Sequence, residues 1–578
     1  MKINTSTIRA ASRLSPKMVA YHIRRIFRNR LGLHTPSLYK RYIDRIASYV
    51  PPLANSYAPE RDRTHADLVR FVSSYYHDEY ISHIDDAASG TFSFFGQRVC
   101  FGSPWKIDWH HKLIVENDLH LWRMKLAHMG FICPMLISGS NAHLQAVETI
   151  ISGFHKNAHF DVPGCFTSYW FPYSASHRVL NILSGYLIAR ESRTISAPLQ
   201  RAIEDFLRLN VGFILANIEH ELKNNHVERN LAAICLYYNH VENVPARLAS
   251  KIDKDVQEII SSSVLEDGMQ AERSAMYQGL TVMALRIFAE AVFLSDTTRN
   301  LAAKLLPRSE RAWALMTHPD GEIGLFNDSW FGEVPKPINM LPSVEFNHVS
   351  LLPQAGYARI EAGDYFALFD AGPIGPRWNP GHGHADFLSV EIDIAGCRFI
   401  VDPGTFQYST GPRRQFERSA QSHNGPTCDE LIPVEYSGCF KVGKMVEAKP
   451  IRSSAPPDKN SVAGELKLVD TTIKREIQLS DTGVNCIDAW NGVTVGAVVR
   501  LLVQDEWELV SWDKNQAVFD NESVRVCIAL KQGTIEGVEL GHWSKEYLHS
   551  SNAWVLKLRP TSSKSDTASL VWEVFISQ

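Results

Sequence analysis

The hydrophobic pattern changes period once along these 578 residues, and that change governs what the chain can become. From about residue 65 to residue 315 apolar side chains recur at helical spacing, as in PLQRAIEDFLRLNVGFILANIEHEL and AERSAMYQGLTVMALRIFAEAVFL. Short polar connectors such as KNNHVER and LEDGMQ separate these runs. Beyond FGEVPKPINMLPSV the pattern becomes alternating or β-branched, in FLSVEIDIAGCRFIVDPG, VVRLLVQDEWELVSW, VRVCIAL, AWVLKLRP and SLVWEVFIS. Helix pairs without a sequence repeat fit a toroid or solenoid, and strands without intervening helices fit an antiparallel sandwich. The fold class is therefore α+β and multidomain: a basic helical extension over 1–60, an α/α toroid over 61–335 and an antiparallel β-sandwich over 346–578. The prolines of PKP and Pro342 interrupt both periods between them.

Charge is unevenly spread. Residues 1–50 hold eleven Lys and Arg against Asp44 alone, while the whole chain is formally −4, so the body is acidic and offers no basic face for duplex nucleic acid. Val19, Ile23, Ile26 and Phe27 fall at helical spacing, with Arg24, Arg25 and Arg28 between them, which predicts an amphipathic helix over Lys17–Leu33. It can lie on an anionic membrane as a peripheral contact, or dock on the main domain with its arginines in water. No secretory signal and no apolar run of about 18 residues is recognisable, so the expected location is cytoplasmic or peripheral to the membrane. Nine cysteines without a CxxC pair give neither a disulfide framework nor a thiolate zinc site.

The densest chemistry lies in PGHGHADFLSVEIDIAGCRFIVDPGTFQY and the following RSAQSHNGP. His382 and His384 would share a face if the segment is a strand, with Asp402 in a β-rich stretch and His423 in a polar segment. Imidazoles plus a carboxylate suit Zn²⁺, and they equally suit a hydrogen-bonded network inside a sandwich.

GHGHAD, VDPGTFQYS and RSAQSHN together resemble the signature region of the heparinase II/III-like polysaccharide lyases. The resemblance extends to IDWHHKL, WFPYSASHRVLN, NNHVERNLAAICL and EDGMQAERSAMYQG in the helical half, in order. It implies a toroid followed by a sandwich, the architecture that periodicity gives independently. It also implies β-elimination on an acidic polysaccharide, with Asn225 and His226 neutralising a uronate carboxylate, Tyr277 as acid and His382 as the second base. D- or L-uronate configuration decides whether Tyr277 or His382 takes the C5 proton. His384, Asp402 and His423 are implied as ligands of a structural Zn²⁺. Trp170, Arg178, Gln278 and Arg418 are candidates to line the sugar cleft, though packing and ion pairing account for Trp170, Arg178 and Arg418 more readily. Gln278 stands where members commonly carry His, which points to substrate choice rather than chemistry. No motif after residue 440 aligns.

Without the resemblance, Asn225 reads as a helix cap and Tyr277 as a core aromatic. Two other functions compete with the lyase: a glycan-binding or polysaccharide-assembly protein that has lost turnover, and a glycoside hydrolase, which needs a carboxylate pair that no motif supplies. The polymer, endo or exo action and the oligomeric state are not legible.

Overall fold

In a computed structural model, residues 9, 12–54, 59–192, 195–451, 460–562 and 566–577 are described. They divide into two compact units, one of Leu14–Val264 with Leu280–Pro307, the other of Leu265–Gly279 with Arg308 onward and the described residues before Leu14. The change of period marks where helices give way to strands, whereas the packing divides at 264/265, 279/280 and 307/308.

The first unit is helical. At its centre the helix Pro172–Glu191 is buried along almost its whole length, against Pro59–Tyr80, Ile132–Ser138, Ala197–Asn217 and Asn225–Tyr238. A helix buried on every side belongs inside a bundle, and this one buries Val179, Leu180, Ile182, Leu183 and Tyr186 together with polar residues such as Arg178 and Asn181, which are hydrogen-bonded within the fold. Gly185 permits the closest approach, since a Cβ there would stand 2.9 Å from Cys133 Cα. Side chains start several helices: Ser15, Ser140 and Ser196 accept the amides of Met18, His143 and Leu199. One hairpin interrupts the helices, Thr91–Phe94 with Gln97–Cys100, which helical periodicity does not predict. Its turn residues Phe95 and Gly96 both have positive φ, as a two-residue hairpin turn of this hand requires.

Ahead of the helix Leu121–His128, Glu116 Oε1 accepts the amides of Leu121 and Trp122. Burial nevertheless pushes its pKa up to about 7, outweighing those hydrogen bonds and Arg123. A carboxyl raised in the folded state contributes stability below its unfolded pKa and loses it as pH climbs from about 4.5 to about 7. Glu116→Gln keeps the acceptor oxygen without the charge. Its melting temperature should match the parent near pH 4.5 and exceed it near pH 8, by the equivalent of roughly 1–3 kcal/mol. A constant difference across that range would mean that Glu116 is not held neutral.

The second unit is a sandwich of two antiparallel sheets. One runs in the order Glu508–Trp512, Gln516–Asp520, Arg525–Gln532, Thr567–Ile576, Gly483–Gly492, Thr471–Ser480, Ser461–Lys467 and Ala448–Ile451. The other runs Thr534–Trp543, Ser551–Arg559, Ala497–Gln504, Cys397–Ile400, Val390–Ile394, Tyr365–Asp370, Tyr357–Ala362 and Val349–Leu352. Ile392, Phe399, Ile477, Cys486, Val499, Trp507 and Trp572 lie in the core that both sheets share. Among the described residues after 346, the helical turn Pro412–Glu417 is the departure from strands, and Pro412 at its start favours its first turn.

Tyr365–Asp370 and Val390–Ile394 are buried at every position, so these strands are covered on both faces. Part of the cover is the segment after the helix Asp296–Leu315: the His318 ring lies 5.0 Å from Phe366 and bonds Asp393 and Glu391 at 2.8 Å. That cover carries Asn327 and Asp328 to the loop that holds His382 and His384. Among the described residues, no helix is long and apolar enough to cross a membrane.

Candidate active site

In the sandwich unit, Arg273 fixes the segment that carries Tyr277. Its guanidinium bonds Ala355 O, Pro373 O and the Asp370 carboxylate, all inside the fold. Next in the chain, the Ser274 hydroxyl accepts the Tyr277 amide at 3.3 Å and donates to Asp328 O at 2.7 Å. Tyr277 therefore stands in the first turn of the helix Ala275–Glu290 with its backbone held by the two residues' contacts, and it is 6% exposed.

The Tyr277 hydroxyl lies 2.9 Å from the Tyr408 hydroxyl and 3.4 Å from His382 Nδ1. His382 Nδ1 has a shorter partner, Asp328 Oδ2 at 2.8 Å, and Nε2 faces Glu272 Oε1 at 3.7 Å. Asp328 is the hub of this network. It also takes Arg414 Nη2 at 2.7 Å and His384 Nε2 at 2.9 Å, and its amide donates to His382 O. Burial raises its pKa, but the Arg414 charge and the two imidazole hydrogen bonds prevail and hold the carboxyl well below the usual range. A charged Asp328 fixes His382 with Nδ1 as donor, which leaves Nε2 as the nitrogen able to take a proton. Tyr408 is pushed well above the ordinary phenol range by burial and by Asp328, so it remains a neutral phenol beside Tyr277.

His382 and His384 do not share a strand face: both precede Val390–Ile394 in a loop, and they meet because Asp328 takes both rings. Asn327 Oδ1, accepting the His384 amide at 2.9 Å, closes that loop against the cover.

Whether His384, Asp402 and His423 suit a metal depends on which of their atoms are free. Burial lowers His384 to about 3, so it is a neutral ring; Nε2–H donates to Asp328 and Nδ1 has no partner. His423 Nδ1 pairs with Asp402 Oδ2 at 2.8 Å and Nε2 has no partner, while the two rings lie 5.4 Å apart. Asp370 and Asp386 are buried in the same region, where Asp386 is raised to about 8 by burial and by Asp370. Two unpartnered imidazole nitrogens in an acid-rich interior fit a divalent cation. As packed, Asp402 orients His423, and among the described residues no group of three His, Cys, Asp or Glu is gathered as a ready-made metal site.

In the helical unit, Asn225 opens the helix Asn225–Tyr238 and Asn224 is its cap, its side chain accepting the His226 amide at 3.1 Å. The cap expected of Asn225 thus belongs to its neighbour. His226 Nδ1 lies 3.1 Å from Glu219 Oε1, and its ring stands 4.5 Å from Tyr173 and 5.4 Å from Phe171. The helix dipole at this end favours negative charge, and the His226 side chain, 19% exposed, already faces the buried Glu219 carboxylate.

The four residues expected to line a sugar cleft are buried and hydrogen-bonded inside the fold. Trp170 is buried, with its indole nitrogen donating to Ala158 O. Arg178 is fully buried, with all three nitrogens donating to Asn210, Ala127 O and Tyr169 O. Gln278 is also fully buried and holds Gln270, Gly268 and Ser309, so its difference from His alters an internal tie. Arg418 donates to Gly381 O, Gly383 O and Cys439 O, bracing the His382 loop from behind. Sequence reading missed Asp328, Glu272, Tyr408 and Arg414. Tyr408 lies within VDPGTFQYS, so a signal existed; Asp328 sits in a polar turn with none.

The fold is that of the toroid-and-sandwich polysaccharide lyases. A heparinase III matches with TM-score 0.66 at 14% identity, over 94% of this chain and 91% of that one. The heparan sulfate lyase HepC from Pedobacter heparinus matches with TM-score 0.56 at 15% identity, over 94% of this chain and 88% of that one. Residues 347–492 match the family described as Heparinase II/III-like, C-terminal, so the chain carries a domain of that family. No curated protein sequence matches the chain.

Proposed function

We propose that this protein is a polysaccharide lyase that cleaves a uronate-containing acidic polysaccharide by β-elimination. The observation that carries the reading is the Tyr277 hydroxyl between Tyr408 and His382, with His382 itself oriented by a charged, buried Asp328. The lyase fold and the matched C-terminal domain support it.

The difficulty in such a reaction is that the proton at C5 sits next to a carboxylate that is already negative. By the family resemblance, Asn225, through its amide, and His226 at the same helix start are assigned to that carboxylate, where they stabilise the charge developing on loss of the proton. The C5–H electron pair becomes the C4=C5 double bond as the C4–O bond breaks, and the departing oxygen takes a proton from Tyr277. Either His382 Nε2 or a Tyr277 phenolate takes the C5 proton, according to uronate configuration. Tyr408 and Asp328 act as positioning residues, the first on the Tyr277 oxygen and the second on the His382 ring.

The direct test is a panel of uronate polymers, including heparan sulfate and alginate, read by ultraviolet absorbance of the new double bond. Absorbance with at least one polymer supports the reading. Reducing ends without absorbance would mean hydrolysis, and binding without either would mean a glycan-binding protein.

A structural Zn²⁺ belongs to the same proposal, held by His384 Nδ1, His423 Nε2 and the Asp402 carboxylate. It would neutralise the buried acids and fix the loop around His382. Elemental analysis of purified protein should find zinc, with His384→Ala and His423→Ala each losing most of it and melting at lower temperature. Zinc-free protein with unaltered melting in the variants would leave the cluster as hydrogen bonds only.

A further inference from the structure

The N-terminal helix Pro16–His34 lies the opposite way round from the arrangement that hydrophobic residues usually take. Its docked face is Met18, Tyr21, Arg25, Arg28 and Gly32, at i, i+3, i+7, i+10 and i+14. Arg25 pairs with the buried Glu221 at 3.2 Å, Tyr21 stacks against His220, and Gly32 abuts Phe166 and Tyr39. The solvent face is Val19, Ile23, Ile26, Phe27 and Leu31, with Ile23 62% and Phe27 69% exposed. The next helix, Pro36–Ser48, adds exposed Leu38 and Tyr42. Apolar residues scattered singly on a surface need no explanation, but a continuous helical stripe does.

Charge identifies the occupant. Residues 16–49 carry eight Lys and Arg against Asp44 alone in a chain that is −4 overall. Arg24 and Arg30 flank or interrupt the apolar stripe, and Lys40, Arg41 and Arg45 are exposed on the adjoining helix. A second copy docking through this face would bring these like charges together, whereas an anionic lipid surface accepts both the apolar side chains and the cations.

We infer that the face of Val19, Ile23, Ile26, Phe27 and Leu31, with its surrounding arginines and lysines, holds the protein on an anionic bilayer surface without crossing it. This inference is independent of the catalytic reading. The full chain should float with vesicles of equal parts phosphatidylglycerol and phosphatidylcholine and not with phosphatidylcholine alone, and binding should weaken as salt rises. An Ile23→Asp/Phe27→Asp double variant should lose binding roughly tenfold or more, and Arg24→Gln/Arg30→Gln should weaken it less. All four side chains are exposed, so circular dichroism and melting temperature should be unchanged. Three results would overturn the inference: no flotation with anionic vesicles, flotation that the double variant leaves intact, or a concentration-dependent dimer that the double variant abolishes.

Discussion

Tyr277→Phe is expected to lower kcat by about 10² to 10⁴ while leaving KM nearly unchanged, on whichever uronate polymer the panel identifies. The substitution removes one hydroxyl from a residue whose amide is held by Ser274 and whose ring lies 4.7 Å from the His382 ring, so packing survives. What disappears is the proton that the departing C4 oxygen needs and the oxygen that Tyr408 faces at 2.9 Å. Asn225→Ala should differ in kind, raising KM and lowering kcat together, because the uronate carboxylate is present in both ground and transition states. Near-normal turnover by Tyr277→Phe would remove Tyr277 as the acid and leave His382 as the candidate for both transfers.

The largest effect on stability should come from Asp328→Ala. Asp328 is fully buried with Arg414, His382 and His384 around one carboxylate, and its loss leaves a buried guanidinium without a counter-charge. Breaking such a pair from one side costs about 3–5 kcal/mol, more than the pair contributes relative to an apolar substitute. The urea midpoint should fall accordingly, with Asp328→Asn intermediate because its amide oxygen still accepts a hydrogen bond. The pH dependence carries the same signature. A carboxyl held well below its unfolded pKa contributes stability above the usual carboxylate range and loses it as pH falls through the folded value. The acid side of the stability curve should therefore flatten in Asp328→Asn. An unchanged urea midpoint in Asp328→Ala would mean that Arg414 is satisfied elsewhere.

The architecture was legible because it rests on the two periods, and period reflects which face of each element is buried. The hairpin Thr91–Cys100 escaped because four-residue strands are too short to establish alternation within helical surroundings. In the N-terminal helix the sequence shows correctly that apolar and basic residues segregate. It does not show which face docks, since that depends on Glu221 waiting buried beneath Arg25, 196 residues away in the chain. The site divides in the same way. His382, His384, Tyr277 and His423 stand in motifs that the sequence displays, whereas Asp328 is recognisable as their hub only once the cover segment is folded over the sheet. Arg178 and Arg418 illustrate the converse: they stand in motifs that the sequence displays, yet their donors are used inside the fold, on Asn210 and on backbone carbonyls.

The central claim is that cleavage proceeds by elimination, and the product's mass decides it most directly. With a polymer that the protein degrades, the reaction is run in water enriched in heavy oxygen and the fragments are weighed. Elimination predicts new non-reducing ends lighter by one water than hydrolysis fragments and carrying no heavy oxygen. Fragments that gain one heavy oxygen for each bond cut, with no unsaturated ends, would contradict it.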